Sequence, residues 1–196
     1  MLKPRLTCAV AVLCFTAAAF SQQKAAQRIP VVHPTASVSA MVPSEQTFIM
    51  FEGNMLAVRY TPPAMKGRKI FGGAVPYGQV WRIDENVPVT LHAEADMQFN
   101  GFSLFKGDYT VYVLVDADSW QLILNRQTGA KAAVYDPKLD MGRVKMTLAK
   151  SSAPIETCKI TLTKTADLAG KLELAWENTV ASVPFYLDRV AVDKEW

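Results

Sequence analysis

The chain has 196 residues, half of them hydrophobic, and 21 Lys and Arg against 18 Asp and Glu give a formal net charge of +3. A chain of this size can bury one good hydrophobic core, and two domains are disfavoured. Its cations are scattered rather than gathered on one face, so nucleic acid is not an expected partner.

The N-terminus reads as a cleavable export signal. Lys3 and Arg5 are followed by Leu6–Phe20, an uncharged apolar run, and Ala19-Phe20-Ser21 then places small residues at the cleavage positions. The run is shorter than the roughly 20 residues of a permanent spanning helix, so no transmembrane helix is expected in the mature chain. Cleavage near Ser21 would deliver the protein to the periplasm or the extracellular space. It would also remove Cys8 and Cys14, leaving Cys158 alone without a disulfide partner. The mature charge would fall to 19 − 18 = +1. Residues 22–44 are rich in Gln, Ala, Ser and Pro and read as a polar tether carrying His33. The expected organisation is thus a signal over 1–21, a tether over 22–44 and a single β domain over 45–196.

From residue 45 the pattern is β almost throughout. Thr47–Phe51 and Met55–Thr61 flank Glu52-Gly53-Asn54, a hairpin signal. Val87–Phe99 alternates without a break, with Val87, Val89, Leu91, Ala93, Ala95, Met97 and Phe99 in one phase, and so predicts a single long strand. Asn100-Gly101 follows, the dipeptide preferred where both turn residues need positive φ. Phe102–Phe105 leads into Tyr109–Val115, which is apolar on both faces and predicts a central, doubly covered strand. Trp120–Asn125, Val144–Leu148, Ile155–Thr163, Lys171–Glu177 and Val183–Leu187 complete the set. About ten short strands and no helical period predict an all-β fold, an antiparallel β-sandwich or jelly roll, with a closed β-barrel as the alternative.

Catalytic signatures are mostly missing: there is no nucleophile elbow, phosphate loop, zinc-protease helix or paired-cysteine motif. Two histidines remain after cleavage, which excludes a multi-histidine metal site, and no metal or cofactor is expected. His92 lies in the solvent-facing phase of its strand. Cys158 shares its phase with Ile160 and Leu162 and reads as a small buried hydrophobe.

Specific chemistry concentrates in residues 66–86, which hold four glycines, three aromatics, four cations and two acids. Ile70, Phe71 and Val75 are apolar enough to dock on a sheet, so the segment reads as a loop between strands. Phe71, Tyr77 and Trp81 could simply pin that loop, with Arg68 and Arg82 satisfying acids and carbonyls. The same residues also suit a pocket. Arg68 and Arg82 would clamp an anion or hydroxyl, Tyr77 and Trp81 would be stacking walls, and Asn86 would give a directional hydrogen bond.

Gly67-Arg68-x-Ile70-Phe71-Gly72, Val75-Pro76-Tyr77-Gly78-x-Val80-Trp81-Arg82, Asn100-Gly101, Lys106-Gly107-Asp108-Tyr109, Trp120-x-Leu122-Ile123-Leu124-Asn125 and Tyr135 together resemble the hallmark of an exported bacterial family. That family is catalogued as domain of unknown function 2911, and the resemblance runs over roughly residues 45–187. It implies an exported, mostly β protein and carries no reaction. Family members follow Trp-Arg with a Gly-Ala-Asn-Glu-type run, whereas here the residues are Ile83-Asp84-Glu85-Asn86.

Three functions fit these observations. The first is a non-enzymatic module binding a small molecule or glycan in the cell envelope. The second is a hydrolase of glycans or esters with Asp84 and Glu85 as acid and base, or with a distant partner such as Glu94 or Asp140. The third is a structural protein that self-associates through its aromatic loop.

Overall fold

The computed structural model describes residues 44–84 and 87–188. The expected signal, the tether up to residue 43 with His33, Cys8 and Cys14, and the site candidates Glu85 and Asn86 lie outside the described residues.

Among the described residues there are ten strands: β1 (Glu45–Phe51), β2 (Asn54–Tyr60), β3 (Gln79–Trp81), β4 (Thr90–Ala93), β5 (Met97–Phe99), β6 (Phe102–Leu104), β7 (Gly107–Val115), β8 (Trp120–Asn125), β9 (Asp140–Ala166) and β10 (Ala169–Leu187). All pairings between them are antiparallel, in the order β1-β2-β4-β7-β8-β9-β10-β5-β6, with β3 added on β7. The sheet does not close, and the fold is a β-sandwich rather than a barrel.

Two hairpins form where turn chemistry demands them. Glu52 and Gly53 take φ of 48° and 84°, and Asn100 and Gly101 take 46° and 88°, the left-handed pair that a two-residue hairpin turn requires. The β7 strand is central and covered on both faces, as its composition predicts. Val111, Val113 and Val115 enter the main core, while Thr110 and Tyr112 are buried on the opposite face. There the segment after β8 closes over them. The Tyr112 hydroxyl donates to the Ala132 carbonyl at 2.8 Å and Thr110 Oγ1 to the Gln127 carbonyl at 2.6 Å.

The long alternating run over 87–99 is not one strand. It divides into β4 and β5, and β5 pairs with β10 rather than β7. Val87 is 49 % exposed, so the buried phase begins only at Val89. Alternation survives the break because Leu91, Ala93, Met97 and Phe99 all face the same interior while the backbone changes partners. Acid side chains satisfy the backbone around the bend. Glu94 accepts the Met55 N–H at 2.7 Å, and Asp96 accepts the Lys106 N–H at 2.7 Å.

The converse holds later in the chain. Val144–Leu148 and Ile155–Thr163 are one strand, β9, and Lys171–Glu177 and Val183–Leu187 are one strand, β10. Register jumps from Lys150↔Thr179 to Ile155↔Glu177, so Ser151–Pro154 bulge out opposite a single residue. The Pro154 nitrogen cannot donate to a ladder, which is why the strand bends there. Core side chains fill the space between the layers, with Phe51 edge-on to Phe185 at 6.0 Å and Phe185 against Phe99 at 5.3 Å. Cys158 is in that core at 1 % exposure, as its phase predicts. Among the described residues no helix is long and apolar enough to cross a membrane.

Candidate functional site

The 66–86 segment begins with a tight turn. Lys66 and Gly67 have positive φ, and Arg68 folds back on the turn, donating from Nε to the Met65 carbonyl at 3.1 Å and from Nη2 to the Ala64 carbonyl at 3.3 Å. The preceding chain runs beside β9. The Met65 N–H bonds the Glu156 carbonyl at 2.8 Å, and the Cys158 N–H bonds the Pro63 carbonyl at 2.9 Å.

Ile70, Phe71 and Val75 are then buried, as expected from their apolarity. Gly72-Gly73 makes the return between them possible. A Cβ on Gly73 would lie 2.5 Å from the Lys69 carbonyl oxygen, and one on Gly72 would lie 2.6 Å from the Tyr77 ring. Glu177 pins this return from below, accepting the Ile70 and Phe71 N–H groups at 3.3 Å each.

The segment is not loop throughout. Gln79–Trp81 is β3, paired with Val115–Val113 of β7. Farther along the same edge β7 pairs with β4, from Thr110 to Gly107. Residues 82–84 therefore leave the ladder at the gap between two strands that share one edge. That gap is what frees their backbone to build a site.

Trp81 lies stacked on Trp176 at 5.5 Å and 13°. Phe71 sits edge-on to Trp81 at 6.0 Å, to Trp120 at 4.5 Å and to Trp176 at 6.1 Å. The Trp176 indole N–H donates to the Glu156 carbonyl at 3.1 Å. Beside this cluster is a cavity of about 250 Å³ whose walls include Arg68, Trp81, Arg82, Ile83, Asp84 and Trp176. A second lobe of about 250 Å³ shares Pro63, Arg68 and Asp84 with it and extends over Thr61, Pro62 and Lys66. Two guanidinium groups, one carboxylate and the indole pair thus meet in one groove.

Asp84 is 5 % exposed, a rare state for a carboxylate. Arg82 Nε donates to the Asp84 backbone carbonyl at 2.9 Å, holding the turn between them. Ile83 at the apex has φ 71°. A β-branched residue in the left-handed region is strained, and such strain is stored at functional sites more than elsewhere.

A family model described as Protein of unknown function (DUF2911) matches residues 42–185. The chain belongs to the DUF2911 family. No curated protein and no solved structure matches it.

Of the candidates read from sequence, Arg68, Trp81, Arg82 and Asp84 line the groove together. Tyr77 lines a different cavity, with Phe71 and Trp120. Asp140 is committed elsewhere in this DUF2911 chain. Its carboxylate accepts from Asn125 Nδ2 at 2.9 Å, from the Tyr135 hydroxyl at 2.5 Å and from Arg143 Nη2 at 3.0 Å. Burial and the Asp140 carboxylate push the Tyr135 hydroxyl up to about 12. Glu94 sits by the β1–β2 hairpin, where Met55 binds it. His92 is half-exposed on β4, with Nδ1 2.7 Å from Asp108 across the strand pair.

Trp176, Glu156 and Glu177 belong to the site's framework although the sequence did not single them out. Both Trp176 and Glu177 lay within the expected Lys171–Glu177 strand with nothing to mark them as site residues. Burial pushes the Cys158 thiol up, reinforced by the Asp84 and Glu45 carboxylates, so that sulfur stays protonated and inert.

Proposed function

We propose that this chain is an exported, non-enzymatic binding module of the cell envelope, a β domain carried behind an export signal and a polar tether. Its ligand is a small polyhydroxy molecule, a sugar residue free or within a glycan. The observation that carries this reading is that Arg68, Arg82 and the nearly buried Asp84 line one groove beside the Trp81–Trp176 stack. Vicinal hydroxyls both donate and accept, so they match a carboxylate flanked by guanidinium forks, and the apolar face of a sugar ring matches an indole. Either lobe alone is smaller than the roughly 300–1,000 Å³ of most small-molecule sites, and the shared groove is what suits a ligand of more than one ring.

Hydrolysis is less well supported. Among the described residues lining the two lobes Asp84 is the sole carboxylate, and a glycosidase needs two facing each other.

Titration with a panel of neutral, acidic and amino sugars, read by tryptophan fluorescence, tests the proposal because two indoles line the groove. A saturable change is expected, lost in Arg68→Ala and Arg82→Ala while far-UV circular dichroism is retained. Silence across the panel sinks the proposal. Unfolding of Arg82→Ala alone makes that residue structural, and Arg68→Ala then decides.

A further inference from the structure

A second cavity lies on the other side of the aromatic cluster. It encloses about 310 Å³, within the range of small-molecule sites, between Tyr77, the β7–β8 turn and the β9–β10 ladder. Phe71 and Trp120 form its apolar floor; both are at least 95 % buried. Tyr77 is the wall, with its residue 44 % exposed.

The wall is placed, not incidental. The Tyr77 ring fills the space where a Gly72 Cβ would be, at 2.6 Å. Gly78, at φ 75°, ties the loop to β7 through its N–H bond to the Val115 carbonyl at 2.9 Å. The floor is anchored as well, since the Trp120 indole N–H donates to the Asp116 carbonyl at 3.0 Å. The hallmark residues Gly72, Tyr77, Gly78 and Trp120 thus all serve this cavity, whereas the groove described above uses Arg68, Trp81 and Arg82.

Charge is divided between two walls. Asp116 and Asp118 come from the β7–β8 turn, and Lys150 comes from β9, where it pairs with Thr179 of β10. One Asp116 oxygen accepts the Ala117 N–H at 2.8 Å. Carboxylates on one wall, an ammonium on the other and an aromatic floor between them complement a zwitterion with an apolar side chain. A neutral sugar would leave that separation of charge unused, and a simple cation would meet Lys150.

We propose that this cavity is a second ligand site, distinct from the groove, that takes a free α-amino acid with an apolar or aromatic side chain. The ligand's ammonium group binds Asp118 and Asp116, its carboxylate binds Lys150, and its side chain lies on Phe71 and Trp120 under Tyr77.

The test is a titration of the purified protein with L-phenylalanine, followed by NMR at the Trp120 indole N–H and the backbone amides of 116–119. Phenethylamine, which lacks the carboxylate, and 3-phenylpropionate, which lacks the ammonium, are run beside it. Saturable shifts are expected with phenylalanine, and each half-ligand should bind about tenfold more weakly because one charge-assisted contact is missing. Asp118→Asn should weaken phenylalanine by about tenfold and leave 3-phenylpropionate unchanged. Lys150→Ala should weaken phenylalanine and leave phenethylamine unchanged. Tyr77→Ala should weaken all three. No shift at about 20 mM, weaker than any affinity of consequence, overturns the proposal. So does binding that is indifferent to Tyr77→Ala, or half-ligands that bind as well as phenylalanine.

Discussion

Glu177 gives the most direct handle on how the aromatic segment is held. It sits at φ 55° between two register shifts of the β9–β10 ladder, and its carboxylate receives the Ile70 and Phe71 N–H groups at 3.3 Å each. Hydrogen bonds to a charged acceptor contribute about 1.5–3 kcal/mol, and bonds this long belong at the low end. Glu177→Ala should therefore destabilise the fold by about 2–3 kcal/mol. Alanine also keeps a Cβ in the left-handed region, at a cost of about 1–2 kcal/mol that Glu177→Gly would relieve. Greater freedom of the unfolded glycine chain takes back about 0.4–1 kcal/mol of that relief. Glu177→Gly should thus be the milder change, by about 0.5–1 kcal/mol. Urea unfolding followed by tryptophan fluorescence measures both. Near-UV circular dichroism should show the Trp81–Trp176 couple weakened in each variant, because Phe71 is no longer held against it. An alanine cost below about 0.5 kcal/mol, or a glycine variant less stable than the alanine one, would refute the reasoning.

Other outcomes follow from the same geometry. Gly73→Ala, whose Cβ meets a backbone oxygen at 2.5 Å, should cost about 2 kcal/mol or more. Gly67→Ala, with open space but φ 73°, should cost only about 1 kcal/mol; urea midpoints rank the two. Burial and the Glu45 carboxylate push the Tyr60 hydroxyl up to about 12 from 10.0. The folded state therefore keeps that proton where the unfolded chain releases it, so stability should fall as pH rises from about 10 to 12. Tyr60→Phe should flatten this alkaline loss. It should also cost about 1–3 kcal/mol at neutral pH, since the Ile160 N–H loses its acceptor at 3.1 Å; denaturation at two pH values separates the effects. Asp140→Ala strips the acceptor from Asn125, Tyr135 and Arg143 and should cost about 3 kcal/mol or more, measured by thermal unfolding.

Much of the fold was legible because strand burial has period two. The β7 strand, the Trp120–Asn125 strand and the inward phase of Cys158 could be read directly. Strand continuity could not. Alternation records which side of the backbone meets the core, and both sheets of a sandwich share that core. The 87–99 run therefore kept its phase while changing sheets, and β9 remained one strand although polar residues interrupt it at Ser151–Pro154. In the candidate site, residue types pointed to Arg68, Tyr77, Trp81, Arg82 and Asn86, of which Arg68, Trp81 and Arg82 share a groove with Asp84 and a second indole, while Tyr77 lines another cavity. Asp84 was adjacent and visible. Trp176 was not, because its contact with Trp81 spans 95 positions of sequence.

By itself the sequence determined that this is an antiparallel all-β chain of the DUF2911 family whose glycines, aromatics and charges concentrate in residues 66–86. Local composition and short-range periodicity suffice for that. Only the tertiary structure decided that this segment serves two cavities rather than one. The division arises because Phe71 is buried edge-on against three indoles drawn from β3, β8 and β10. That wall puts Tyr77 on one side and Arg68 with Asp84 on the other, and long-range packing of this kind leaves no mark on neighbouring residues.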